Sequence, residues 1–144
     1  MKKLMKRFKN ERGLTLVELL AVVVILAIIA TIAFVFIGGV INNAKKDAHV
    51  ANAQQIIAAT KLYEAGGGKL LTGNKMTGAE LIEQKYLDEL LDPWTKSDYS
   101  DPKGTVTKAD NGTYSISFNA SQDCNLQNIP ESELNEKGRD ACQE

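Results

Sequence analysis

From Leu19 to Ile37 the sequence contains a single polar side chain, Thr31. A helix needs about 20 apolar residues to cross a bilayer core of about 30 Å, and this run is long enough. A helix that is apolar on every side must be surrounded by lipid or by other apolar protein, because it has no face to offer water. Six cations precede it: Lys2, Lys3, Lys6, Arg7, Lys9 and Arg12. The positive-inside rule keeps that end in the cytoplasm and sends the C-terminal part outward. Glu18 breaks the pattern by placing a carboxylate at the start of the apolar run. A charge at mid-membrane costs roughly 2.5–3.5 kcal/mol, less near an end, and such residues are usually paired or functional.

The natural partner for Glu18 is a cation made nearby, and cleavage between Gly13 and Leu14 creates one, the free amine of Leu14. A basic leader, Gly13, then Leu14-Thr15-Leu16-Val17-Glu18-Leu19-Leu20 and a long apolar helix resemble the class III signal of type IV pilins and type II secretion pseudopilins. The resemblance is specific from residue 1 to about 41 and architectural beyond. It implies that a membrane peptidase cuts after Gly13 and methylates Leu14, and that Glu18 neutralises the terminal amine of a neighbouring subunit during assembly. Leu14 stands where phenylalanine is commoner. Val35 stands where many members have a helix-breaking proline, and Gly38-Gly39 can supply flexibility just downstream, since glycine weakens a helix by about 1 kcal/mol relative to alanine.

Two plainer readings compete. A secretory signal peptide also begins basic and apolar, but its core runs only about 7–15 residues to a small-residue cleavage site. A single-span anchor accommodates everything except the joint presence of Gly13 and Glu18.

The chain has 144 residues and a formal charge of −1. The leader holds six cations and one anion, Glu11, so its removal leaves −6 and an acidic mature chain with no bulk attraction to nucleic acid. Lys45, Lys46 and Lys61 read as solvated helix lysines. Beyond the apolar run roughly 100 residues remain, a small domain with a limited core. Its two cysteines are Cys124 and Cys142. If that part lies outside the membrane, the oxidising setting favours a disulfide, worth around 3 kcal/mol in the chain-entropy model. A metal pair is the weaker reading, because no histidine is near and the spacing is not C-x-x-C. The resemblance agrees with the disulfide, since many type IV pilins close a C-terminal loop this way.

The chain divides into a leader, 1–13, a transmembrane or filament-core helix, 14–41, its amphipathic continuation, 42–65, and a head, 66–144. Ala53, Ile56, Ile57, Thr60 and Tyr63 form one buried stripe, and Gly66-Gly67-Gly68 stops the helix. His49, the only histidine, reads as a surface residue. Thr77-Gly78-Ala79-Glu80 spells a capping box, opening a second helix to about Leu91. The stripe Ile82, Tyr86 and Leu90 packs inward or contacts another subunit. Trp94 anchors the following loop to the core. Thr105–Thr107 and Thr113–Phe118 form a hairpin around Asp110-Asn111-Gly112, a type I′ signal, with Tyr114, Ile116 and Phe118 facing inward. Asn111-Gly112-Thr113 and Asn119-Ala120-Ser121 match the glycan sequon, and for the first a turn explains the residues. From Gln122 onward the chain reads as a polar surface loop, with a short helix possible from Pro130.

Asp92-Pro93-Trp94 after a helix resembles the major pseudopilins of type II secretion, which often bind calcium in the next loop. Asp92, Asp98, Asp101 and Asp110 are the candidate ligands. Their spacing fits no EF-hand, and loop aspartates also serve as turn formers.

The expected fold is α+β: a long N-terminal helix packed on a small antiparallel β-sheet, type IV pilin-like, with a disulfide-closed C-terminal loop. No catalytic set, phosphate loop or zinc signature appears, so no enzyme is expected. The expected function is a pilin that polymerises into an extracellular type IV pilus after leader cleavage. The alternatives are a type II secretion pseudopilin, a competence pilus subunit that meets DNA, or a monomeric membrane-anchored binding module. The resemblance implies as partners other copies of the chain, a prepilin peptidase, an assembly ATPase and a membrane platform protein. The precursor is expected to be single-pass in the cytoplasmic membrane and the product at the cell surface, serving motility, adhesion, secretion or DNA uptake.

Overall fold

The computed structural model describes the backbone of residues 2–143 and the side chains of residues 15–143. The chain divides into two compact units, Met1–Ile41 and Asn42–Glu144.

The first unit is helical throughout its described length, as part of helix α1 (Lys2–Ala65). Its side chains from Leu16 to Ile41 are exposed, and Phe34 is 84% exposed. Thr31 Oγ1 donates to the Ala27 carbonyl at 2.8 Å. The single hydroxyl of the apolar run is thereby satisfied within its own helix, so it adds no unmet polar group to apolar surroundings. The helix continues through Gly38 and Gly39.

The second unit begins with the rest of α1, whose inward stripe is Val50, Ala53, Ile56, Ile57 and Thr60, with Tyr63 half-buried. The helix ends as the glycines require. Gly67 takes φ +90, and the amides of Gly67 and Gly68 donate back to the carbonyls of Glu64 and Tyr63. This is the paired 5→2 and 6→1 arrangement of a Schellman cap.

Strands β1 (Lys75–Thr77), β2 (Thr105–Lys108), β3 (Tyr114–Asn119) and β4 (Asn125–Pro130) form one antiparallel sheet in that order. Val106 pairs with Ile116, and their faces bury against the α1 stripe together with Phe118, Leu126 and Ile129. Helix α2 (Gly78–Glu83) opens with the expected capping box: Glu80 N donates to Thr77 Oγ1, and Thr77 N donates to the Glu80 carboxylate. Two glycines fix close approaches beside it. A Cβ on Gly78 would lie 2.1 Å from the Lys103 carbonyl oxygen, and Gly104 at φ +87 has Phe118 and Ile56 where a side chain would go.

Three expectations need correction. Helix α2 stops at Glu83, not near Leu91. Lys85 adopts φ 62, and Lys85 N and Tyr86 N donate to the Ile82 and Leu81 carbonyls, a second Schellman cap built without glycine. The β2–β3 turn is not type I′, which needs positive φ at both central residues. Only Gly112 has positive φ (85), and Gly112 N donates to Ala109 O, which makes a type I turn followed by a left-handed glycine. Asn111 Oδ1 accepts from Thr113 N and Thr113 Oγ1, fixing the turn.

The short helix allowed from Pro130 is present, but the rest of the C-terminal stretch is more regular than the polar loop expected. The stretch contributes β4, helix α3 (Glu131–Lys137) after Pro130, and a 3-10 turn (Gly138–Ala141). Between Ile116↔Ile129 and Phe118↔Leu126, Ser117 on β3 faces two residues, Gln127 and Asn128, on β4. Asn128 takes φ 50, and its amide donates to Ser117 Oγ. This β-bulge turns both Leu126 and Ile129 inward although they are three residues apart. Leu134 on α3 is also fully buried.

Candidate assembly and loop-anchoring sites

The sequence places one set of candidate residues at the start of α1. The side chains of Gly13 and Leu14, the expected cleavage and methylation positions, lie outside the described residues. Glu18 is described and exposed, immediately before the apolar stretch that begins at Leu19. Among the described residues one helix is long and apolar enough to cross a membrane. Glu18 and the stretch after it leave the chain with a carboxylate at the edge of a surface that excludes water on all sides, and such a carboxylate calls for a cation.

The C-terminal staple is present: Cys124 and Cys142 form a disulfide, with Cα atoms 4.6 Å apart. Its neighbourhood is further closed by Asn125 and Gln143, which exchange both backbone hydrogen bonds at 3.0 Å.

The acidic loop after α2 turns on Asp92. Asp92 Oδ1 accepts from Trp94 N at 2.8 Å and Thr95 N at 3.4 Å, and Oδ2 accepts from Ser121 N at 2.8 Å. Burial pushes this carboxyl up, but the N–H donors of Trp94, Ser121 and Thr95 outweigh it and hold the group below the usual aspartate value. Asp92, Asp98 and Asp101 border one cleft of about 460 Å³. Among the described residues no three His, Cys, Asp or Glu side chains gather closely enough to hold a metal ion. With both oxygens of Asp92 committed to backbone amides, these carboxylates do not fit a calcium cage; Asp92 organises the loop instead. Trp94 packs at the core edge, and its Nε1 donates to Asn42 Oδ1 on α1 at 3.2 Å.

His49 corrects the sequence reading most sharply. It is 0% exposed, not on the surface. Nε2 lies 3.1 Å from the Phe118 carbonyl, which can only accept, so Nε2 carries the proton. Nδ1 then accepts from the Tyr99 hydroxyl at 2.8 Å, and Tyr99 in turn accepts from Asn52 Nδ2 at 3.1 Å. The rings of Phe118, Tyr99 and Trp94 surround the imidazole at 4.5, 5.5 and 6.2 Å between centroids. Burial lowers the His49 pKa, more than the Phe118 carbonyl and the Asp92 charge raise it. Burial likewise pushes the Tyr99 hydroxyl well up. The signal for this site was in the helical spacing. His49 lies one turn before Ala53 on the same stripe as Ile56 and Thr60, and its position there outweighs its polarity.

Ion pairs tie α1 to β2, α3 and the 3-10 turn. Lys61, read as a solvated lysine, meets Glu131 at 2.6 Å, while Lys108 meets Glu64 at 2.8 Å and Arg139 meets Asp47 at 3.2 Å. Their exposure limits each to a fraction of a kcal/mol, about 0–1.

Residues 8–34 match the family described as the prokaryotic N-terminal methylation motif. No curated protein and no solved structure matches the chain. The motif supports a class III signal peptide, and the long apolar helix, the four-stranded antiparallel sheet and the Cys124–Cys142 disulfide are consistent with a type IV pilin-like fold. The motif supports a precursor of the pilin or pseudopilin type, and the N-terminal apolar helix is long and apolar enough to anchor it in a membrane.

Proposed function

We propose that this chain is a structural subunit that polymerises into a type IV pilus. The observation that carries the reading is the helix from Leu16 to Ile41, whose large apolar side chains are exposed and most of which lies within the methylation motif of residues 8–34, Glu18 included. In the membrane, lipid covers this surface. In a filament, the same surfaces of other copies cover it. Exchanging lipid for protein contributes little net hydrophobic drive, so a directional contact must set the register. Glu18 meeting the Leu14 amine of a neighbour supplies that contact, and breaking one partner of a pair in a dry core costs about 3–5 kcal/mol. The leader stays in the cytoplasm, a prepilin peptidase removes residues 1–13 and methylates Leu14, and an assembly ATPase with a membrane platform protein extracts the subunit. The disulfide-closed head is then displayed at the cell surface.

Asp92-Pro93-Trp94 favours a second reading, a pseudopilin of type II secretion. The test is the intact mass and N-terminal sequence of the protein in filaments sheared from cells. A methylated Leu14 start with an oxidised cysteine pair supports the pilus reading. A chain confined to the membrane fraction with residues 1–13 attached overturns both readings and leaves an anchored module. A processed chain absent from sheared surface filaments favours the pseudopilin.

A further inference from the structure

The segment Asp92–Ser100 belongs to no strand or helix, and one isolated β-bridge, Leu91↔Asp98, ties it to the residue just before it. Polar side chains hold it in place. Three come from α1: Asn42 accepts from Trp94 Nε1, His49 accepts from the Tyr99 hydroxyl, and Asn52 donates to Leu91 O and to Tyr99. The fourth contact is Asp92 to Ser121 N. Beyond Ser100 the chain is fastened separately, by Ala79 N to Pro102 O and Gly78 N to Gly104 O. The segment is thus secured at both ends, with the buried His49–Tyr99 contact one residue before its C-terminal end.

We propose that His49 is the catch of an acid-released latch: proton uptake by its buried ring frees the Asp92–Ser100 segment from α1 while the sheet stays folded. The hydrogen-bond directions give the mechanism. Neutral His49 uses Nε2–H on Phe118 O and presents a lone pair at Nδ1 to the Tyr99 hydroxyl. A proton added at Nδ1 points at that hydroxyl, which must turn its own proton away from the only nitrogen now accepting it. Asn52 Nδ2 already donates to the same oxygen. The added charge is fully enclosed, and burying a charge without a partner is costly. The charged and titratable groups that face His49 from the loop are Asp92 and Tyr99. The Asp92 carboxylate is engaged by three amides, so it does not swing in as a counter-ion. Strand β3 offers the Phe118 carbonyl alone. On α1, Lys45 and Lys46 are cations, and Asp47 is paired with Arg139. Opening the segment hydrates the ring at the expense of loop contacts, without breaking strand ladders. This inference holds whether or not the chain polymerises.

The chain has one histidine, so imidazole NMR of the full-length protein in detergent micelles reads His49 alone. Amide exchange measured over the same pH series, corrected for intrinsic rates, reads the segment. The expected result is a His49 midpoint below the ordinary value of about 6.5. Exchange at Asp92–Ser100 should rise about tenfold per pH unit from there down to that midpoint, as one linked proton requires. Strands β2 and β3 should keep their protection. His49→Gln, which can donate to Phe118 and accept from Tyr99 without titrating, should flatten the response. Unchanged segment exchange, a midpoint at the ordinary value, simultaneous loss of strand protection, or an acid response surviving in H49Q above about pH 4, where Asp92 keeps its charge, would each overturn the proposal. Should H49Q fail to fold, the wild-type agreement or disagreement between the two curves decides.

Discussion

His49 holds Phe118 twice: Nε2 donates to its carbonyl at 3.1 Å, and the two rings stack with centroids 4.5 Å apart. One helical residue therefore fixes both the backbone and the side chain of a strand residue. His49→Phe keeps the stack but strands the Tyr99 hydroxyl and the Phe118 carbonyl. It should cost about 1–3 kcal/mol, the usual penalty for a buried group left unsatisfied. His49→Ala should cost more, because it also opens a cavity. Denaturant unfolding followed by the emission of Trp94, the only tryptophan, measures both.

Asp92 gives a second, separate acid dependence. Its folded carboxyl lies below the ordinary value of 3.8, so its contribution is fully present above that pH and is lost as pH falls through the folded value. Asp92→Asn should lower stability by about 1.5–3 kcal/mol at neutral pH, because an amide cannot accept from amides on both sides as the carboxylate does. The variant should also flatten the stability curve below about pH 4. Thermal melts across pH 3–7 compare the two proteins.

Three glycines should respond differently to alanine. Gly78→Ala meets a backbone carbonyl at 2.1 Å and should cost the most, upwards of about 2 kcal/mol. Gly112→Ala meets nothing but carries φ 85, so the cost should be about 1 kcal/mol from the left-handed backbone alone. Gly39→Ala meets nothing in a regular helix and should raise helix stability by about 1 kcal/mol. Melting temperatures of the three variants give the order.

Reducing the disulfide should lower stability by about 3 kcal/mol on the chain-entropy estimate for its 18-residue separation. Cys124→Ala with Cys142→Ala should reproduce the loss and become insensitive to reductant. The unfolding midpoint with and without dithiothreitol reads it.

Glu18→Ala should still insert and be processed but yield at least tenfold fewer filaments, a cost of about 1.4 kcal/mol or more per subunit contact. Wild-type filament yields from this mutant would remove Glu18 from the assembly contact. Gly13→Arg should leave the leader attached and abolish filaments. Immunoblots of membrane and sheared fractions distinguish the two.

What the sequence made legible was whatever depended on period or on a residue with one conformational use. The apolar run, the stripe from Ala53 to Thr60, the glycine stop after Ala65 and the Thr77–Glu80 box all belong to this kind. What stayed hidden depended on residues acting against type. Lys85 ends α2 in a conformation that glycine normally advertises. Asn128 inserts a bulge that spaces Leu126 and Ile129 by three, so strand alternation is invisible in β4. His49 follows the stripe's period, but its polarity argued for solvent, and only Tyr99, Asn52 and the Phe118 carbonyl, distant in sequence, make its burial tolerable. Calcium at the acidic loop looked available from composition, yet the distances of Trp94 and Ser121 amides to Asp92 assign that carboxylate to the backbone.

The bond between Cys124 and Cys142 also makes β4, α3 and the 3-10 turn a covalently closed ring of chain. A protease that cuts once anywhere inside that ring releases no fragment, since both new ends remain attached through sulfur. The surface segments carrying Asn135, Glu136 and Arg139 can be nicked and still stay on the head. Damage there would be visible as a change in mass on reduction, not as a lost piece.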